Sequence, residues 1–242
     1  MNRYAHLAVI LVLAILSSAV TAAQGNESAA KMVRDITTAV QRTRDDLGQS
    51  TLAERVLDVM RQVPRHEFVP EPLRGHAYEN RPLPIGHGQT ISQPYIVAIM
   101  TDLLRLQPDD VVFELGTGSG YQAAVLASLV NHVYSVEIIA DLGQRAEQTL
   151  KRLGYDNIAT RVGDGYHGWV EQAPFDAIIV TAAGDHIPPP LVQQLKPGGR
   201  MIMPVGSPFL TQQLVLIEKQ PNGAIITRAL LPVRFVPLTG RH

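Results

Sequence analysis

Three acidic residues and a glycine turn carry the sharpest chemical signal in the chain. The run Phe113-Glu114-Leu115-Gly116-Thr117-Gly118-Ser119-Gly120-Tyr121 follows an apolar, strand-like stretch and opens a helix-like one. Glycines at such a junction let the backbone turn tightly and approach a ligand closely. A dinucleotide-binding fingerprint would need its third glycine at position 121, which is Tyr121. The loop is instead a G-x-G-x-G run, with Glu114 two residues before Gly116. A carboxylate there would repel a pyrophosphate and attract an ammonium or a sulfonium. S-adenosyl-L-methionine has both cations and no phosphate, so Glu114 tilts the reading to that cofactor. Glu137 follows the next strand-like run, where an acid can accept hydrogen bonds from two ribose hydroxyls. Asp164, in Gly163-Asp164-Gly165, ends a third run and could accept from an adenine amino group. Acids at successive strand ends are expected to line one edge of an open α/β sheet. Taken singly each has a plainer reading, since an acid at a strand end is often a helix N-cap.

A second group lies upstream, in Pro84-Ile85-Gly86-His87-Gly88-Gln89-Thr90-Ile91-Ser92-Gln93-Pro94-Tyr95. Ser92 reads as the N-cap of a helix with Pro94 in its first turn. A capping serine can still offer its hydroxyl to an anion at the helix N-terminus. His87 reads as a polar loop residue. A hydrolase using Ser92 and His87 is the rival chemistry, but the glycine turn is no G-x-S-x-G elbow. The histidines are scattered and no H-E-x-x-H occurs, so no metal site is expected.

These groups need elements to hold them. Residues 24–31 read as a linker. Residues 32–63 show helical periodicity in two pieces, with Val56, Leu57, Met60 and Val63 on one face and Pro64 as a stop. Residues 64–93 are rich in proline and glycine and read as irregular, a length that in a compact domain usually signals function or disorder. From Pro94 the pattern becomes regular. A helix over 94–106 precedes strand-like runs at 111–113, 133–136, 159–162, 177–180 and 201–203, with helical stretches at 121–130, 141–153 and 188–196 between them. That alternation predicts an α/β fold with a mostly parallel, doubly wound sheet and helices on both faces. Residues 214–218 and 225–231 flank Pro221-Asn222-Gly223 and read as an antiparallel pair.

Composition narrows the class. With 45% hydrophobic and 18% charged residues the 242-residue chain can bury a sizeable core, and a net charge of −1 gives no reason to expect nucleic acid. The lack of cysteine excludes a disulfide framework, a zinc ribbon and a thiol nucleophile. Arg3, the apolar run Leu7 to Leu16 and the small residues Thr21-Ala22-Ala23 have the three-part form of a secretory signal peptide over residues 1–23. The expectation is a periplasmic or secreted protein without stable membrane association once the segment is removed. An uncleaved anchor, or a cytoplasmic protein starting at Met32, are the alternatives.

With these residues assembled, the chain resembles the protein-L-isoaspartate O-methyltransferase family from about Met32 to Gly240. The resemblance rests on Val63-Pro64-Arg65, Phe68-Val69-Pro70, the run Gly88 to Pro94, the loop Glu114 to Tyr121, Gly163-Asp164-Gly165, the run Phe175 to Ala183, and Val233-Arg234-Phe235-Val236-Pro237-Leu238. It implies a Rossmann-like methyltransferase domain over 94–242 with a substrate-side segment over 32–93. It implies Ser92 as the active-site serine and Tyr95, Ile96, Val97 and Ala98 as a cofactor-contacting helix start. It also places Gly116, Glu137, Ile138, Asp164 and Gly165 at S-adenosyl-L-methionine and Thr239 near both cofactor and acceptor; the glycine loop itself adds Glu114, Thr117 and Gly118 as cofactor candidates. The implied acceptor is the α-carboxylate of L-isoaspartyl residues in damaged proteins; a monomer is expected. Another carboxylate or a small molecule is the alternative acceptor. Members of this family are commonly cytosolic, so the signal-like segment departs from the pattern.

Overall fold

The computed structural model describes residues 25–207 and 210–240; the signal-like segment lies outside them. Helix α1 covers residues 25–42, so the linker expected over 24–31 is helical from residue 25 onward. The cause is visible in the spacing: Ala29, Met32, Val33, Ile36 and Val40 recur at three- and four-residue intervals and are all buried. The polar run before Ala29 concealed the helix there. A short α2 (Arg44–Leu47) ends at Gly48 in the left-handed conformation. Helix α3 (Glu54–Gln62) buries Val56, Leu57, Val59 and Met60.

The segment read as irregular is more ordered than expected. It holds 3-10 turns at Arg65–Phe68 and Glu71–His76 and a hairpin of β1 (Leu83–Gly86) and β2 (Gln89–Ile91). The hairpin turn is His87-Gly88, with φ of 54° and 71°. Two positive φ values in a two-residue turn match the twist of paired strands. Histidine is not a residue that announces such a turn, which is why it was hidden. Helix α4 (Pro94–Leu103) follows.

The main sheet has seven strands: β3 (Val111–Leu115), β4 (His132–Glu137), β5 (Ile158–Val162), β6 (Phe175–Val180), β7 (Leu195–Val205), β8 (Gln212–Lys219) and β9 (Ile225–Val233). Their order is β5-β4-β3-β6-β7-β8-β9, parallel through β7 and antiparallel across β8 and β9. Both expectations, the wound parallel sheet and the C-terminal pair, hold. Helices α5 (Tyr121–Ala127), α6 (Ala140–Arg152) and α7 (Pro189–Gln194) connect the strands. Between β5 and β6 the connection is two 3-10 turns, Gly165–His167 and Val170–Gln172.

Two buried clusters sit on the two faces. One joins Val112 and Val133 to apolar residues of α1 and α3 to α6; the other joins Phe113, Leu115 and Val136 to Leu191 of α7. The chain proceeds from β3 outward to β4 and β5, then returns across β3 to β6. That reversal makes the crevice at the carboxyl ends of β3 and β6 the place where such sheets bind ligands.

Candidate active site

A narrow slot opens at that crevice. It is lined by Gly116 and Gly118 of the loop, Glu137 at the end of β4 and Ile138 after it, Gly165 after β5, Thr181 after β6, and Thr239 of the tail. Gly116 has φ 97°, and a Cβ there would lie 2.4 Å from Thr181 Oγ1. That hydroxyl donates to the Leu115 and Gly116 carbonyls at 3.0 and 2.7 Å, so the end of β6 is seated directly on the loop. Only glycine permits this approach. Thr181 was not singled out from the sequence, since a threonine after an apolar strand has no distinctive neighbour pattern.

Glu137 faces the slot while anchoring it. Its Oε2 accepts from the Gly118 N–H at 2.7 Å and its Oε1 from the Ile139 N–H at 2.9 Å. Each carboxylate oxygen retains acceptor capacity, so hydroxyls of a ribose fit here. Asp164 caps the 3-10 turn after β5, accepting from the Tyr166 N–H at 3.0 Å. The slot is lined by its neighbour Gly165 rather than by Asp164 itself.

Glu114 does not line the slot, contrary to expectation. Strand β3 runs on through Leu115, so Glu114 is a strand residue rather than the first residue of the loop. Alternation turns it to the same face as Val112, beneath the helices. It is fully buried and accepts from the Ser135 hydroxyl, which in turn pairs with Thr117 Oγ1 at 2.6 Å. Desolvation pushes its carboxyl up to about 8; the Ser135 bond works against this and the Glu137 charge adds to it. With no exposed surface and its Oε2 turned to Ser135, this carboxyl does not present to the slot the charge expected there. What fits S-adenosyl-L-methionine is the glycine cradle and Glu137, with Ile138 offering 39% exposed aliphatic surface beside them.

A wider cleft of about 660 Å³ adjoins the slot and shares Thr90, Thr181 and Val236 with it. Ser92, Tyr95 and Ile96 line this cleft, opposite Arg234 and Phe235 of the tail. Ser92 is not the helix cap that the sequence suggested. The N-cap of α4 is Gln93, and the Tyr95 N–H is capped instead by Asn80 Oδ1 at 3.0 Å. The Ser92 hydroxyl makes no hydrogen bond among the described residues. Asn80 was missed: an asparagine fifteen positions from the helix it caps leaves no local signature. Val97 and Thr117 line a small hollow with Ser92, while Ala98 is fully buried and lines none of these cavities. A helix turns about 100° per residue, so four consecutive residues cannot all face one ligand.

The far wall is the C-terminal tail. The Ala183 N–H donates to the Val236 carbonyl and the Leu238 N–H to the Ala183 carbonyl, both at 2.8 Å. The Phe235 N–H donates to Gln212 Oε1 at 2.9 Å. His87 lies at the exposed hairpin turn, 3.5 Å from Asp141 Oδ2, and no hydrogen bond joins it to Ser92 among the described residues. No group of three or more His, Cys, Asp or Glu among those residues is placed to hold a metal ion.

Residues 42–242 match the family model described as protein-L-isoaspartate(D-aspartate) O-methyltransferase. A protein-L-isoaspartate O-methyltransferase 2 from Syntrophobacter fumaroxidans is 60% identical over 238 residues, 96% of each chain. Another from a Polaromonas species is 62% identical over 211 residues, covering 87% of this chain and all of its own (100%). Among solved structures, a protein-L-isoaspartate O-methyltransferase superposes with a TM-score of 0.74 at 28% identity, covering 86% of this chain and 66% of that one. A Plasmodium falciparum chain of the same assignment, solved in complex with S-adenosyl-L-homocysteine, gives 0.69 at 28% identity, covering 85% of this chain and 97% of its own.

Proposed function

The chain belongs to the protein-L-isoaspartate(D-aspartate) O-methyltransferase family, and from that premise we propose how its two cavities divide the reaction. The enzyme uses S-adenosyl-L-methionine to methylate L-isoaspartyl residues of damaged proteins, as part of their repair. The observation that carries our reading is the junction of slot and cleft at Thr90, Thr181 and Val236, with Ser92 on the cleft side. Gly116, Gly118, Glu137, Ile138, Gly165 and Thr239 would hold the cofactor, with Asp164 beside them. When bound, S-adenosyl-L-methionine supplies an electrophilic methyl group.

The acceptor is the α-carboxylate of the isoaspartyl residue. A carboxylate with a reference pKa near 4 is already ionised at pH 7, so no general base is needed. Ser92 donates its hydroxyl to one carboxylate oxygen and so selects which oxygen faces the slot. Holding the reactants in line is worth up to about 7–11 kcal/mol, and the cleft walls exclude water from the nucleophile. The cleft admits an extended, flexible segment of a damaged protein.

We also propose that the mature protein is exported to the periplasm or beyond and acts there as a monomer. The composition of residues 1–23 supports export. N-terminal sequencing of the protein recovered from the cell envelope fraction tests it; an unprocessed or cytoplasmic product counts against it. For the reaction itself, protein starting at Gln24 is mixed with methyl-labelled cofactor and paired peptides containing L-isoaspartate or L-aspartate. Base-labile label on the isoaspartyl peptide alone is expected. Equal label on both peptides would reject the acceptor assignment.

A further inference from the structure

Arg65 is fully buried, yet among the described residues it enters no ion pair and its Nη1 has no hydrogen-bond partner. Its Nε donates to the Ala77 carbonyl at 2.8 Å and its Nη2 to the Ser92 carbonyl at 2.7 Å. Its guanidinium carbon lies 4.6 Å from the ring centroid of Tyr121, the first residue of α5 and the one that follows Gly120. A cation buried against neutral partners is a poor stabiliser: well-packed apolar side chains in place of buried charges are often neutral or better for the fold. What the guanidinium offers instead is a planar, rigid fork of donors. Two of its nitrogens fix two carbonyls, and its face rests on the helix that the glycine loop feeds.

We propose that Arg65 is a positioning residue for methyl transfer: it clamps the Ser92 main chain against the start of α5, so that the Ser92 hydroxyl keeps one spacing from the cofactor slot. This rests on the reading of Ser92 as the group that holds the acceptor carboxylate. A lysine at position 65 would keep the charge but, as a point donor, could not hold both carbonyls in one geometry. The hydroxyl would then be free to shift while the slot, built from strand ends, stayed as it is.

The test is a kinetic double-mutant cycle with the unaltered chain, Arg65→Lys, Ser92→Ala and the double variant. Methylation of the isoaspartyl peptide is followed, together with calorimetric binding of S-adenosyl-L-homocysteine and thermal melting. Arg65→Lys is expected to lower kcat by about 10²-fold, as a misplacement near 1 Å does, with S-adenosyl-L-homocysteine affinity held within about twofold. In the Ser92→Ala background the same change should cost less than about threefold, because residues acting through one another are not additive. A general packing role would instead multiply the two losses. Full activity of Arg65→Lys would overturn the proposal, as would independent, multiplying losses. Arg65→Met provides a second probe: it should fold and show the same coupling. Failure of both variants to fold would overturn the proposal by making Arg65 a fold-holding residue. No methylation by the unaltered chain, with S-adenosyl-L-homocysteine bound, would instead remove the acceptor reading on which the clamp depends.

Discussion

The cofactor slot and the acceptor cleft share three residues and are built on opposite principles. Most of the slot lies at the ends of β3, β4, β5 and β6, closed by the hairpin at Thr90 and the tail at Val236 to Thr239, and backbone bonds fasten the strand ends together. The Gly116 N–H donates to the Val136 carbonyl at 2.8 Å and the Thr181 N–H to the Leu115 carbonyl at 2.9 Å. The cleft gathers the end of α1, the segment around Asn80 and Ser92, and the tail after β9. Two backbone bonds tie the tail to Ala183, and single side chains join the other pieces: Asn80 to the Tyr95 N–H, Gln212 to the Phe235 N–H, and Thr43 Oγ1 to the Tyr95 hydroxyl at 2.5 Å. A sheet edge is redundant because many ladder bonds hold it. The cleft is not, so its geometry depends on individual residues. Substitutions at the edge should act through cofactor affinity, and substitutions around the cleft through acceptor kinetics.

The largest expected effect separates the two regions most cleanly. Ser92→Ala should lower kcat by roughly 10²–10³-fold, the usual loss when one donor to a reacting group is removed. Its cofactor affinity, measured by calorimetry with S-adenosyl-L-homocysteine, should be unchanged, since Ser92 lies outside the slot lining. Equal losses in both would break the division between slot and cleft. Gly116→Ala is the converse. Its φ of 97° disfavours any side chain, and the added Cβ would meet Thr181 Oγ1 at 2.4 Å. A left-handed residue costs about 1–2 kcal/mol and overpacking about 1–3 kcal/mol. Stability should therefore fall by about 2–5 kcal/mol, and relief of the clash by moving Thr181 or the loop out of the slot wall should lower cofactor affinity as well. Retained affinity with reduced kcat would show that Gly116 serves the acceptor instead.

The same division explains what could be read without coordinates. Periodicity and glycine pointed to Gly116, Gly118, Glu137 and the Gly163-Asp164-Gly165 run, while Ile138 rested on the resemblance; Gly116, Gly118, Glu137, Ile138 and Gly165 all line the slot. Glu114 misled because β3 was taken to end at Phe113; the strand runs on through Leu115, and alternation turns Glu114 to the helix-covered face with Val112. Ala98 misled because a contiguous motif is not a contiguous face on a helix. In the cleft, Ser92 was found by resemblance and its assigned cap was wrong, because the true cap, Asn80, arrives from another segment. Tethers between distant segments have no period, and a single sequence does not reveal them. Helix α1 is an intermediate case: its periodicity was read from residue 32 onward, while the helical residues 25–31, with buried Ala29, were taken for a linker.

Asn80 gives a smaller effect that sharpens the comparison. Asn80→Ala removes the cap of α4 and should cost about 1 kcal/mol of stability, or roughly 2–4 °C in Tm for a chain of this size. Because α4 carries Tyr95 and Ile96 into the cleft, the acceptor KM should rise while S-adenosyl-L-homocysteine binding stays constant. A change confined to Tm would reduce Asn80 to a fold-holding cap with no part in the cleft.

The smallest expected effect lies beneath the slot and concerns pH. Burial holds the Glu114 carboxyl up to about 8 in the folded chain, against about 4.3 when unfolded. In the window between those values the unfolded chain has released this proton and the folded chain retains it. Stability therefore falls as pH rises through the window. The contribution is complete below about pH 4.3 and is lost by the time the folded carboxyl ionises. Other groups titrate over the same range, so the informative quantity is the difference between the unaltered chain and Glu114→Gln. Glutamine keeps an acceptor for the Ser135 hydroxyl and cannot ionise. Melting curves between pH 5 and 8 should show the unaltered chain losing Tm relative to the variant as pH rises. Parallel profiles would mean that Glu114 is ionised in the fold. That would restore the charge the slot was first thought to present, and the cradle formed by Gly116 and Glu137 would no longer account for cofactor recognition alone.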